Sequence, residues 1–177
     1  MNAFYRLRQF WQGFFARIAP EELQAIQPLL PPDAFALFCR LPRDAQRHSL
    51  NVLHDLQQRG PLHPDLAIAA LLHDVGKLAA DEAGVSINLW LRGPLVLLKA
   101  LAPALFQRLQ SPTPASGWRY ALYVSEAHPQ IGAKWAHEAG CSALACWLIE
   151  QHQEHQSLQT EERYVLLRNL QAADARY

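Results

Sequence analysis

The residues with the most chemical promise lie in one stretch, Ala69-Ala70-Leu71-Leu72-His73-Asp74-Val75-Gly76-Lys77-Leu78. An apolar run delivers an adjacent imidazole and carboxylate, then a glycine and an amine. His73 and Asp74 both offer lone pairs to a divalent cation, and a carboxylate can bridge two such ions. At the end of an apolar helix the pair is costly to bury unless a cation or hydrogen bonds compensate it. A metal is the economical explanation.

Four further polar positions fall in contexts that suit the same chemistry. His48 sits in Gln46-Arg47-His48-Ser49-Leu50, and His128 sits in Glu126-Ala127-His128-Pro129-Gln130-Ile131-Gly132-Ala133, just before an expected helix. His152 closes the apolar run Leu144 to Ile149, and Asp174 lies on a small-residue face, Leu170-Gln171-Ala172-Ala173-Asp174-Ala175. Only His73 and Asp74 are sequence neighbours, so a shared site requires the fold to gather the others. Taken singly, His48 reads as a histidine satisfied within a packed helix, and Lys77 as a helix-end cation favoured by the dipole. Glu126 reads equally as a proton acceptor or as a surface carboxylate. His54, His63 and His137 have no motif context. Trp90, Trp118, Trp135 and Trp147 read as packing residues, and Arg119 as a side chain that reaches a phosphate or base.

Almost every segment that must position these groups reads as helix, so the expected fold class is all-α. Pro20 ends a first helix, and Glu21-Glu22 open a second that runs to Pro31-Pro32. Asp33 to Leu41 is a short helix, and Arg43 to Arg59 a stronger one stopped by Gly60-Pro61. Pro64-Asp65 open the helix that leads into His73-Asp74, with Gly76 loosening its end. Ser86 to Gln110 reads as a short helix and a longer one from Pro94, and Ser111 to Gly117 as a loop. Tyr120 to Glu126 and Pro129 to Ala139 are two separate helices in this reading. Ser142 caps a helix extending to about His155, and Thr160-Glu161-Glu162 open the last. Residues from Asp81 to Tyr123 are expected to roof the site.

The chain has 177 residues, 50% of them hydrophobic and 18% charged, which describes a folded protein with one core. Its formal net charge of zero argues against an extended nucleic-acid surface. Three cysteines, Cys39, Cys141 and Cys146, with no CxxC spacing, read as free thiols of a cytoplasmic protein. Leu89 to Leu109 is too often interrupted by Arg92, Pro94, Lys99 and Pro103 for a lipid span. Phe4, Leu7, Trp11, Phe14 and Ile18 recur at helical spacing among Arg6, Arg8 and Arg17. That amphipathic helix reads as packed on the core. The alternative is peripheral contact of residues 1–18 with a membrane or a partner.

The series His48, His73-Asp74, His128, His152 and Asp174, in the phrases RHSLNVL, AALLHDVGK, HPQIGA, LIEQH and LQAADAR, resembles the HD-domain metal-dependent phosphohydrolase superfamily. The resemblance covers about residues 41–177 and leaves 1–40 as an N-terminal helical extension packed on the core. It implies a helical bundle in which His48, His73, Asp74 and Asp174 hold one divalent ion. Asp74 would bridge to a second ion held by His128 and His152. Mn, Fe, Co, Ni, Zn and Mg are not distinguished by these ligands. The implied activity is hydrolysis of a phosphoester or phosphoanhydride in a nucleotide or related small phosphorylated substrate by metal-activated hydroxide. Asp74 and Lys77 would be the catalytic residues, Lys77 offering charge to a phosphate oxygen. The alternative is an HD scaffold that senses a nucleotide or binds a partner with weak or no catalysis. Members acting on cyclic di-GMP carry a second consecutive histidine and a Gly-Tyr-Pro loop, where this chain has Gln153 and no such loop. His155, one turn beyond His152, is the candidate replacement for that histidine.

Overall fold

The computed structural model describes residues 18–85, 98–99, 101–154 and 159–177. The helix expected over residues 1–18 lies outside these residues except for Ile18, which packs against the core. Most of the segment expected to be helical from Ser86, including Trp90, and the candidate ligand His155 also lie outside them. The fold is all-α, with no strand among the described residues.

Prolines open four of the helices, because their fixed φ and missing N–H suit a first turn. Pro20 starts α1 (Pro20–Ile26), and a 3-10 turn, Gln27–Leu29, follows. The second helix, α2 (Pro32–Arg40), leads to α3 (Arg43–Gln58), as the spacing predicts. Next, α4 (Pro64–Leu72) is buried from Leu66 to Leu72 and forms the centre of the bundle. It packs on α3 and on α8 (Ala143–Gln151). Between them come a 3-10 turn (Val75–Lys77), α5 (Leu78–Glu82), α6 (Pro103–Leu109) and α7 (Trp118–Glu138). The last helix, α9 (Glu162–Asp174), packs on α3, α4 and α8.

Phe38, Leu71, Leu72, Leu148, Ile149 and Leu170 are fully buried in a single cluster. Each large apolar side chain withdrawn from water contributes roughly 1.5–3 kcal/mol. Ile26, Leu30, Ala34 and Phe38 join this cluster, so residues 20–40 pack into the same core as the later helices. Arg47 ties α3 to α1 through both carboxylate oxygens of Glu22, at 2.7 Å each. No helix among the described residues is long and apolar enough to cross a membrane.

Three local expectations are corrected. The two helices expected on either side of Pro129 are one, α7, with the proline inside it. A proline there lacks the N–H that would reach the carbonyl four residues back, that of Ser125. Nδ1 of His128 donates to that carbonyl at 3.0 Å instead, so a side chain replaces the missing backbone bond. The helix expected to reach His155 ends at Gln151, and the Gln171 amide nitrogen donates to the carbonyls of His152 and Glu154 beyond it.

Gly76 is the third correction. It does not loosen a helix end; it is buried in the 3-10 turn. A Cβ there would overlap the His128 carbonyl oxygen and lie 2.7 Å from the Gly132 nitrogen. The absent side chain lets this turn lie directly on the α7 backbone.

Candidate metal centre

The fold gathers all six expected ligands. His48 comes from the first half of α3, His73 and Asp74 from the turn after α4, and His128 from the middle of α7. His152 follows α8, and Asp174 ends α9. Neighbouring imidazoles form a chain, with ring centroids 5.2 Å apart for His48–His73, His73–His152 and His152–His128.

Two overlapping groups could each hold a cation: His48, His73 and Asp74, and Asp74, His128 and His152. In the first, Nε2 of His48 is 3.2 Å from Nε2 of His73 and 2.8 Å from Asp174 Oδ1. Asp174 Oδ1 is also 3.4 Å from Nε2 of His73. In the second, Asp74 Oδ1 lies 3.4 Å from Nε2 of His128 and 3.9 Å from Nε2 of His152. Asp74 Oδ2 lies on the other side, 3.7 Å from Nε2 of His73 and 2.6 Å from Lys77 Nζ. One carboxylate therefore spans both groups.

The tautomers are fixed by the backbone. His73, His128 and His152 each place Nδ1 near the carbonyl three residues back, at 3.1 Å from Ala70, 3.0 Å from Ser125 and 2.7 Å from Ile149. A carbonyl only accepts, so each Nδ1 donates and each Nε2 is left for the shared centre. The acceptors are available for local reasons. Ala70 and Ile149 lie in last turns, where helix carbonyls lose their partners, and Ser125 loses its own to Pro129.

Charge favours a cation here. Burial opposes ionisation of Asp74, but His73 and Lys77 outweigh it and hold its pKa well below the usual carboxylate range. Burial likewise opposes ionisation of Asp174, and hydrogen bonds from His48 and His73 outweigh it. For His73, burial favours the neutral ring, yet Asp74 and Asp174 raise its pKa above the ordinary imidazole value. The proton it gains faces Asp174, where a metal ion would do the same work. His152 differs: burial, then the positive charge at His73, lower its pKa to about 4.

The donor set fits a divalent metal, and one atom argues for it directly. Nε2 of His152 is buried with no hydrogen-bond partner among the described residues. An acceptor left so costs roughly 1–3 kcal/mol, and a cation would satisfy it. Asp174 is fastened from behind, because Arg176 reaches Oδ1 of the buried Asp55 at 2.5 Å. Asp55 stands seven residues after His48 on α3, and Arg59 also binds it. The same helix therefore supplies one candidate ligand and anchors the segment bearing another.

Several sequence expectations resolve differently. Lys77 lies half exposed and pairs with Asp74. Glu126 pairs with Lys99 at 2.7 Å, the surface alternative. Arg119 donates to the carbonyls of Leu109 and Arg108 and so clasps α6. Trp118 is not packed but 55% exposed, whereas Trp135 and Trp147 pack against the core. His63, given no role, accepts from the Asp65 backbone N–H and caps α4. Gln153, which stands where some members of the resembled superfamily carry a histidine, places its amide nitrogen 3.2 Å from Nε2 of His128.

Comparison with protein-family models, characterised proteins and solved structures finds no match for this chain. What it carries is therefore stated from its own geometry: an all-α fold enclosing a buried His/Asp cluster that could hold divalent metal.

Proposed function

We propose that the chain is a metal-dependent phosphohydrolase of the HD type. It acts on a phosphoester or phosphoanhydride bond of a nucleotide or related small phosphorylated substrate. The observation that carries the reading is the shared carboxylate: Asp74 stands between two imidazole groups whose Nε2 atoms all face it. Divalent ions held there would supply the Lewis acidity that activates water toward phosphorus and offsets phosphate charge.

The chain's own residues supply the rest. His48, His73, Asp74 and Asp174 hold one ion, and Asp74, His128 and His152 a second. Both carboxylates are ionised at neutral pH, so neither surrenders a proton when an ion binds. Lys77 keeps a salt bridge to Asp74 until a phosphate oxygen competes for its ammonium. The apolar walls of α4 and α8 exclude water behind the ligands. A reducing, cytoplasmic setting suits the free thiols of Cys39, Cys141 and Cys146.

The test is turnover by chelator-stripped protein reloaded separately with Mn, Fe, Co, Ni, Zn and Mg, against nucleotides and generic phosphoesters. We expect hydrolysis with at least one ion, and loss of both metal and activity in Asp74→Ala with the helices retained. A protein inert across that panel, or full turnover in Asp74→Ala, overturns the reading. The second reading, an HD-scaffold nucleotide sensor or interaction module, is favoured by the Gln153 amide already bonded to His128. Thermal stabilisation by a nucleotide that is not consumed would select it.

A further inference from the structure

Gln153 is the polar residue at the cluster that the ligand set leaves unused. Nδ1 of His128 donates to the Ser125 carbonyl, so its Nε2 carries a lone pair. Only the nitrogen end of the Gln153 amide can bond there, because its oxygen would face another acceptor. His152, the other imidazole of this group, has no donor at its Nε2.

We infer that Gln153 is an occupancy latch: its N–H fills the His128 lone pair that a cation needs, and so makes the His128–His152 group the second to fill. The inference rests on the metal reading proposed above. An ion entering this group must first break the amide's hydrogen bond, which weakens binding roughly 3- to 10-fold for a neutral pair. An ion entering the His48–His73 group also displaces a hydrogen bond, from His48 Nε2 to Asp174 Oδ1, but both of those partners then turn to the ion, whereas the amide does not. A histidine at position 153 would offer a lone pair of its own. Glutamine instead makes the second ion conditional on its concentration. Because Gln153 is exposed, it can swing aside without disturbing the core.

The test is calorimetric titration of chelator-stripped full-length chain with Mn2+, in wild type and Gln153→Leu. We expect the first dissociation constant unchanged and the second tightened roughly 3- to 10-fold, or a second ion gained where wild type takes one. A second constant that is unchanged or weaker in Gln153→Leu overturns the latch, as does a variant that stops at the same single ion. Nitrogen chemical shifts of the stripped protein give a separate readout. The His128 Nε2 signal should move toward that of an unbonded acceptor in Gln153→Leu, and an unmoved signal also overturns the latch. A wild type that binds no Mn2+ at all defeats the metal reading itself, whereas the nitrogen signal still reports on the amide bond.

Discussion

The two groups that share Asp74 are built on different principles. Around His48 and His73 the contacts are ionic: Asp174 lies 2.8 Å from one ring and 3.4 Å from the other, and the His73 pKa is raised. Around His128 and His152 there is no carboxylate beyond Asp74. One ring is bonded to a neutral amide, the Nε2 of the other has no hydrogen-bond partner among the described residues, and the His152 pKa is depressed. The first group already draws positive charge to itself. The second is oriented by backbone carbonyls, and burial keeps its His152 ring from taking up charge. Order of filling and sensitivity to acid should therefore differ across a few ångströms.

The largest expected effect separates the groups by their private ligands. Asp174→Ala should weaken the first ion by roughly a hundred-fold, whereas His152→Ala should spare it and abolish the second. Metal titration of each variant checks this. Equal losses in both would mean that the cluster acts as one unit and would break the comparison.

Acid should sharpen it, because two of the buried histidines, His73 and His152, respond with opposite sign. His152 titrates near 4 when folded and near 6.5 when unfolded, so the unfolded chain binds the extra proton between those values. Stability from this group is present above pH 6.5 and falls as pH drops toward 4, by about 3 kcal/mol in all. His73, with a raised folded pKa, stabilises the fold below 6.5 and loses that contribution as pH rises through its folded value. Denaturant melts of metal-free His152→Gln should lose the first slope, and those of His73→Gln the second. Identical pH profiles for the two variants would contradict the assigned charge states.

The smallest effect concerns the carbonyl that orients His128. Pro129→Ala restores an N–H able to claim the Ser125 carbonyl, in competition with Nδ1. Second-ion affinity should fall roughly 3- to 10-fold, with more of the other His128 tautomer visible by nitrogen NMR. An unchanged tautomer ratio would show that the proline does not direct the ring.

The helices were legible because their signals are local: Pro64 opening α4, Ser142 capping α8, and the apolar spacing of Leu50, Leu53 and Leu56. The ligand types were legible too, since His73-Asp74 at the end of an apolar run poses an electrostatic problem any reader can see. Pro129 misled because its usual meaning, a helix start, ignores a neighbour that can take over the carbonyl it frees. Gln153 was undervalued because glutamine has no fixed metal role, and its importance comes from a ring 25 residues away in the chain. Asp55 could not be read at all. Its worth depends on Arg176, 121 residues distant, closing on it from the last turn of the protein.

Gly76 and Gly132 hold the backbone after Asp74 directly against the backbone after His128. Neither carries a side chain that could bind an ion, yet together they act as a ruler. The gap between those two ligands is set by main chain pressed on main chain, which cannot stretch as a flexible side chain can. Any selection by ionic radius at this cluster would thus meet a rigid wall on one side, and adjustment to a larger ion would fall to the residues borne by α3, α8 and α9.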